Sequence, residues 1–381
     1  MKILYLMPSW GQPSELWALR MLEMLQDHVV LVCTRDKDLK TCWNDIPVLG
    51  LQQSPSVSEK IKFKLKIQDN KNYEEERLYE LIKKFKIDCL FVHFMNVGVY
   101  LKNLINSLNI PTYIHCHGAD ITWEISTHQN PDNKIYDAEY IRSILNFSEN
   151  VTFITNSNFT KKKLLAIGID SSKVFVKYLG VPVPTKVPDK DDNGETQNTI
   201  LYLGRLVDCK GPDLVIKAFE LACSKGLDAT LIIAGDGPLK ITCDLLSRRS
   251  LYANKIKVIG AVDAKRGEEL RANADIFTAH NCLGPLSHQE EAFGVSIIEA
   301  MAAGIPVVSA SSGALSETVI NNKTGVLVDP GDVEAHAQAF INILANKELA
   351  LSMGREGWRR VMENFTFDQE KRNLVKILQL N

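Results

Sequence analysis

The stretch EEAFGVSIIEAMAAGIPVVSA, residues 290–310, runs a helical pattern straight into a short apolar strand. From Val295 the apolar run reads as a helix, and "IPVVSA" follows it as a strand. A helix that passes at once into a buried strand belongs to an alternating α/β chain with a parallel sheet. The same stretch holds two carboxylates, Glu291 and Glu299, on either side of Phe293 and Gly294. With Gly294 loosening the first part, Glu291 sits just before the helix and Glu299 inside it, and the pair can hold two ends of one ligand.

The pattern extends in both directions. "TILYLGRL" (199–206), "ATLIIAGDGP" (229–238), "KIKVIGAV" (255–262), "DIFTAH" (275–280) and "TGVLVDP" (324–330) read as strands. Between and after them, "GPDLVIKAFELACSKG", "EELRANA" and "DVEAHAQAFINILAN" have helical periodicity. Earlier in the chain, "KILYLMP", "VVLVC", "CLFVH", "PTYIHCHG", "NVTFITNS" and "KVFVKYLG" read as strands. "SELWALRMLEMLQ", with Ser14 as N-cap, and "YEEERLYELIKKF" read as helices. The run "VPVPTKVPDKDDNGETQN" (181–198) has the composition of an interdomain linker. The expected fold class is therefore α/β, with two Rossmann-like parallel-sheet domains facing each other across a cleft, 1–190 and 191–381. Whether the helical tail 364–380 packs on its own domain or crosses back to the first is open from pattern alone.

A chain of 381 residues suits two such domains. A hydrophobic share of 45% and a charged share of 24% fit a folded globular protein, and a net charge of −2 gives no overall pull toward nucleic acid or anionic membrane. The eight cysteines form no CxxC pair and read as reduced thiols rather than a disulfide or zinc framework. The opening "MKILYLMPSW" is too short for a signal-peptide core, and no apolar run approaches the ~20 residues of a membrane helix. A cytoplasmic protein is expected. "EKIKFKLKI" (59–67) and "TKKKLLAIG" (160–168) mix lysines with apolar residues, and read either as solvated faces or as peripheral contacts with the inner face of a membrane.

"LGRLVDCKG" places Arg205 right after a strand and Lys210 at the start of the next helix. In open α/β sheets ligands bind outside the carboxyl ends of the strands, so these cations are either a diphosphate clamp or solvated surface charges. The N–H groups of Phe293, Gly294, Val295 and Ser296 open a helix and suit sugar hydroxyls or phosphate. Glu299 lies within an apolar run, where a carboxylate needs a ligand or a cation.

"GRLVDCKG", "AGDGPL" and residues 290–332 together resemble the nucleotide-sugar-dependent retaining glycosyltransferases of family four, which have the glycosyltransferase B fold. The resemblance implies that Glu291 contacts the transferred sugar, that Glu299 holds the ribose, and that Arg205 and Lys210 bind the diphosphate. It puts the nucleotide base on backbone atoms near Val262. "CHGAD" (116–120) is similar to the family's His-Gly-x-Asp element, which implies that His117 approaches the donor sugar. The N-terminal loop "PSWGQPSE" departs from the family's glycine pair and keeps only Gly11 as a phosphate contact.

The activity so implied is transfer of a sugar from a nucleotide-diphosphate sugar to a hydroxyl of a glycan or lipid-linked acceptor, with retention, in bacterial surface polysaccharide synthesis. The charge on the leaving phosphate would be met by Arg205, Lys210 and helix-start N–H groups, with no cofactor and no metal. Two other readings share the fold, a nucleotide-sugar 2-epimerase and a non-catalytic nucleotide-sugar-binding protein. An oxidoreductase is disfavoured because no G-x-G-x-x-G follows the first strand.

Overall fold

The computed structural model describes residues 1–11, 16–52, 54, 70–122, 139–187 and 198–380. The chain divides into two compact units, one of Met1–Asn156, Lys161–Lys177 and Lys371–Asn381, the other of Ser157–Thr160 and Tyr178–Glu370. The division thus falls at Lys177/Tyr178 rather than near 190, and again inside the helix Phe367–Ile377. Packing explains the earlier position. The Tyr178 ring stacks on Phe293 with centroids 5.7 Å apart and meets Phe365 edge-on, and Val181 N–H donates to the Phe365 carbonyl at 2.9 Å. Most of the polar run read as a linker, residues 188–197, lies outside the described residues, as do Ser14 and the 59–67 patch.

Among the described residues the first unit is built on eight strands: β1 Ile3–Met7, β2 Val29–Lys37, β3 Lys40–Trp43, β4 Ile46–Gln52, β5 Cys89–His93, β6 Thr112–His115, β7 Val151–Thr155 and β8 Val174–Val176. They lie in the order β3-β4-β2-β1-β5-β6-β7-β8, parallel except for the β3–β4 hairpin. β1 and β5 are buried along their whole length, as unbroken apolar runs in a sheet covered on both faces must be.

Among the described residues the second unit has six parallel strands: β9 Thr199–Leu203, β10 Thr230–Ala234, β11 Ile256–Gly260, β12 Ile276–Thr278, β13 Val307–Ala310 and β14 Gly325–Val328. Their order is β11-β10-β9-β12-β13-β14. The chain therefore steps outward from β9 on one side, then returns to β12 on the other. Loops leaving the carboxyl ends of β9 and β12 diverge there, which makes a topological switch point, the usual ligand position of such sheets.

Candidate active site

The two loops at the switch point carry the candidate residues. After β9 the chain runs through Gly204 and Arg205 to a short turn at Asp208–Lys210, and the helix Pro212–Ser224 follows. Gly211 sits at φ 54°, and a Cβ there would come within 2.3 Å of the His280 carbonyl oxygen. Only glycine lets Lys210 lie this close to the end of β12, where His280 N–H donates to the Lys210 carbonyl at 3.1 Å.

Lys210 Nζ donates to Glu291 Oε2 at 2.5 Å, with the two side chains 16% and 13% exposed. Two residues that the sequence assigns to different parts of a ligand are thus one ion pair. Asn281 Nδ2 reaches the same oxygen at 3.2 Å, and Asn281 is itself held by Ser309 Oγ. Burial pushes the Glu291 carboxyl up, but Lys210 and the N–H groups of Phe293 and Gly294 outweigh it and hold the carboxyl below its ordinary value.

Those N–H groups correct one expectation. Gly294 N–H donates to Glu291 Oε1 at 3.0 Å and Phe293 N–H at 3.4 Å, so both are occupied by the protein's own carboxylate. The cause is local: a carboxylate two and three residues upstream of helix-start donors folds back onto them. Val295 and Ser296, the first residues of the helix Val295–Ala302, carry the N–H groups with no hydrogen bond among the described residues. The backbone of Glu291 is fixed in turn by Ala314 N–H, which donates to its carbonyl at 2.8 Å, and Gly313 packs so near that a Cβ would lie 2.0 Å from that oxygen.

Glu299, in the middle of that helix, meets a cation. Arg271 Nη1 lies 3.2 Å from Glu299 Oε2, with the side chains 13% and 25% exposed. Arg271 belongs to the helix Ala264–Ala272, which opens just after Val262 with Asp263 as N-cap. The Arg205 side chain is exposed and has no carboxylate partner among the described residues. Asn281 and Arg271 escaped the sequence reading. Their only signal was position, one just past a strand end and the other on a helix that follows a strand end.

Gly11 and His117 belong to the first unit. Gly11 is exposed at φ 75°, beside Trp10, whose N–H donates to Asp36 at 2.8 Å. His117 is held through its backbone: Asp120, 2% exposed, accepts from the N–H groups of His117 at 3.0 Å, Gly118 at 2.8 Å and Met95 at 2.9 Å. In the 160–168 patch, Leu164 is fully buried and Lys161 Nζ donates to the Val174 carbonyl at 2.8 Å, so part of that run is core rather than free surface. Among the described residues no helix is long and apolar enough to cross a membrane.

Comparison with known proteins gives the family. The family description "Glycosyltransferase Family 4" matches residues 19–183, and "Glycosyl transferases group 1" matches residues 185–360. The chain belongs to the family-four glycosyltransferases. It is 28% identical over 246 residues to the GDP-mannose-dependent alpha-(1-6)-phosphatidylinositol monomannoside mannosyltransferase of Mycolicibacterium smegmatis, over 62% of this chain and 64% of that protein. To the amylovoran biosynthesis glycosyltransferase AmsK of Erwinia amylovora it is 26% identical, over 78% of this chain and 71% of that one. Among solved structures, that of Anabaena HepE in complex with UDP superposes with a TM-score of 0.76 at 19% identity, covering 100% of both chains. The fold of this glycosyltransferase is thus the two-domain glycosyltransferase B architecture.

Proposed function

We propose that this glycosyltransferase moves a sugar, with retention, from a nucleotide-diphosphate sugar to a hydroxyl of a glycan or lipid-linked acceptor, in the assembly of a surface polysaccharide or glycolipid. The observation that carries the reading is the placing of two carboxylate–cation pairs, Lys210–Glu291 and Arg271–Glu299, around one helix start at the switch point of the second sheet. Glu299 accepts from the ribose hydroxyls and Glu291 faces the transferred sugar. The diphosphate draws on Arg205, Lys210 and the open N–H groups of Val295 and Ser296, so Lys210 passes from Glu291 to phosphate as the donor enters. That exchange meets the charge that gathers on the leaving group without a metal ion at the diphosphate.

In the transfer step the bond from the anomeric carbon to the diphosphate breaks. The acceptor oxygen bonds to the same face of that carbon, and its proton passes to the leaving phosphate. The named proteins support this reading through GDP-mannose dependence, a part in amylovoran biosynthesis and a UDP complex. No observation favours the epimerase alternative.

The test is a panel of UDP- and GDP-sugars scored by thermal shift, followed by product analysis with acceptor. A donor that binds at 100 times its Kd stabilises the native state by about 2.7 kcal/mol. One nucleotide series should raise Tm and release nucleotide only when acceptor is present. Equal release without acceptor, or no shift with any nucleotide sugar, contradicts the reading.

A further inference from the structure

At the carboxyl ends of β5 and β6, in the first unit, three imidazoles share one small volume. His93 ends β5 and His115 ends β6, and the two are direct partners in the parallel register, so their side chains leave the same face of the sheet. His117 follows two residues later and turns to that face as well. Their nitrogens meet on one atom: His117 Nε2 lies 2.9 Å from His93 Nδ1 and 2.8 Å from His115 Nδ1. The three ring nitrogens lie within 4.8 Å of one another. A neutral imidazole nitrogen holds either one proton or one lone pair, so His117 Nε2 forms a good two-centre bond with only one of its two neighbours. The far nitrogens do no better, because Nε2 of His93 and of His115 are buried without a partner.

We propose that His93 Nδ1, His115 Nδ1 and His117 Nε2 bind one divalent transition-metal ion, with zinc the favoured occupant. An all-imidazole set suits zinc and its neighbours, and three protein ligands leave a fourth position open. Burial holds all three rings well below the ordinary histidine value, hence in the neutral form that ligation requires. Bonds of about 2.0–2.1 Å set ligand nitrogens about 3.3 Å apart in a tetrahedral site, a spacing reached from the observed contacts by small side-chain rotations.

The pocket is otherwise aromatic. Tyr5 packs on His93 at 4.5 Å, and Trp17 and Phe94 pack on His117 at 3.9 and 4.7 Å between centroids. His93 and His115 are fully buried, and His117 is partly buried. Lys177, also fully buried, acts electrostatically on all three rings and opposes the ion's charge. The ion fixes the orientation of the His117 ring. The proposal rests on these contacts alone.

The experiment titrates chelator-dialysed full-length protein with Co2+ and Zn2+, reading cobalt absorption and zinc competition, and examines the zinc-loaded protein by X-ray absorption. One equivalent should bind, with nitrogen-dominated ligation at about 2.0–2.1 Å. His93→Phe and His115→Phe keep a ring in an aromatic pocket and remove a ligand. Each should weaken binding by more than the roughly 10–100-fold that loss of a supporting partner costs. Lys177→Met should tighten it. The proposal is overturned by a wild-type protein that takes up no stoichiometric metal, by a zinc shell dominated by oxygen or sulfur, or by unchanged affinity in both phenylalanine variants. Binding no tighter in Lys177→Met likewise removes the ion from this pocket.

Discussion

Lys210 and Glu291 neutralise each other in a setting from which water is largely excluded, so removing one partner exposes the cost of the other. Lys210→Met should destabilise the protein by about 2–3 kcal/mol, since Glu291 keeps only Asn281 and two backbone donors. Adding Glu291→Gln should recover part of that loss, and a double-mutant cycle by urea denaturation measures the coupling. Additive losses would mean that the pair is not energetically linked. Glu291→Gln alone should leave nucleotide-diphosphate affinity intact or stronger, because Lys210 is released, while sugar transfer falls. Arg271 behaves differently, since its carboxylate partner faces the ribose in the proposed reading. Arg271→Met should weaken nucleotide binding by about 10-fold, equivalent to ~1.4 kcal/mol, and reduce the preference for a ribo- over a 2′-deoxyribonucleotide. Calorimetry showing equal loss for both sugars would reduce Arg271 to a packing role.

The elements show what a sequence discloses and what it withholds. Strands buried on both faces, such as β1 and β5, announce themselves as apolar runs. The β3–β4 hairpin went unread because Lys40–Trp43 is mostly exposed and polar. Its one signal was the pair Asn44 and Asp45, both at positive φ, as a tight hairpin turn requires. Site residues that reply to a charge were legible only as a need: the apolar surroundings of Glu299 called for a ligand or a cation, but nothing local named Arg271 across the fold. Gly211 was legible as a helix start, but not as the point where backbone meets backbone. Gly211→Ala should destabilise by more than ~1 kcal/mol, because it combines a left-handed φ with a contact of 2.3 Å to the His280 oxygen. It should also weaken nucleotide binding by displacing Lys210. A variant of unchanged Tm and affinity would show that the loop yields without cost.

Across the whole molecule, burial keeps histidines neutral in both units, and this ties stability to pH. In the second unit Gly331 N–H donates to His280 Nε2 at 2.8 Å, so His280 Nδ1 carries the proton and donates to His336 Nδ1 at 2.9 Å. His336 Nε2–H then donates to Thr278 Oγ1 at 2.8 Å, which completes a chain with no proton to spare. Burial pushes His280 down to about 4 from an ordinary 6.5, and His336 well below 6.5. In the first unit His93, His115 and His117 are lowered for the same reason. Above pH ~6.5 neither the folded nor the unfolded chain protonates these rings, and their contribution to stability is complete. Between there and the folded values the unfolded chain binds protons that the native protein refuses, so stability falls as pH falls. For His280 alone the loss by pH ~4 is about 3 kcal/mol. Glu291, lowered instead of raised by its partners, adds its own loss only below the ordinary carboxylate range, which separates the two effects on the pH axis. Urea denaturation from pH 7.5 to 4.5 should show stability declining from about 6.5 downward, with a shallower decline in His280→Gln. A flat profile across that window would mean that the buried rings take up protons in the native state, contrary to the hydrogen-bond chain that orders them.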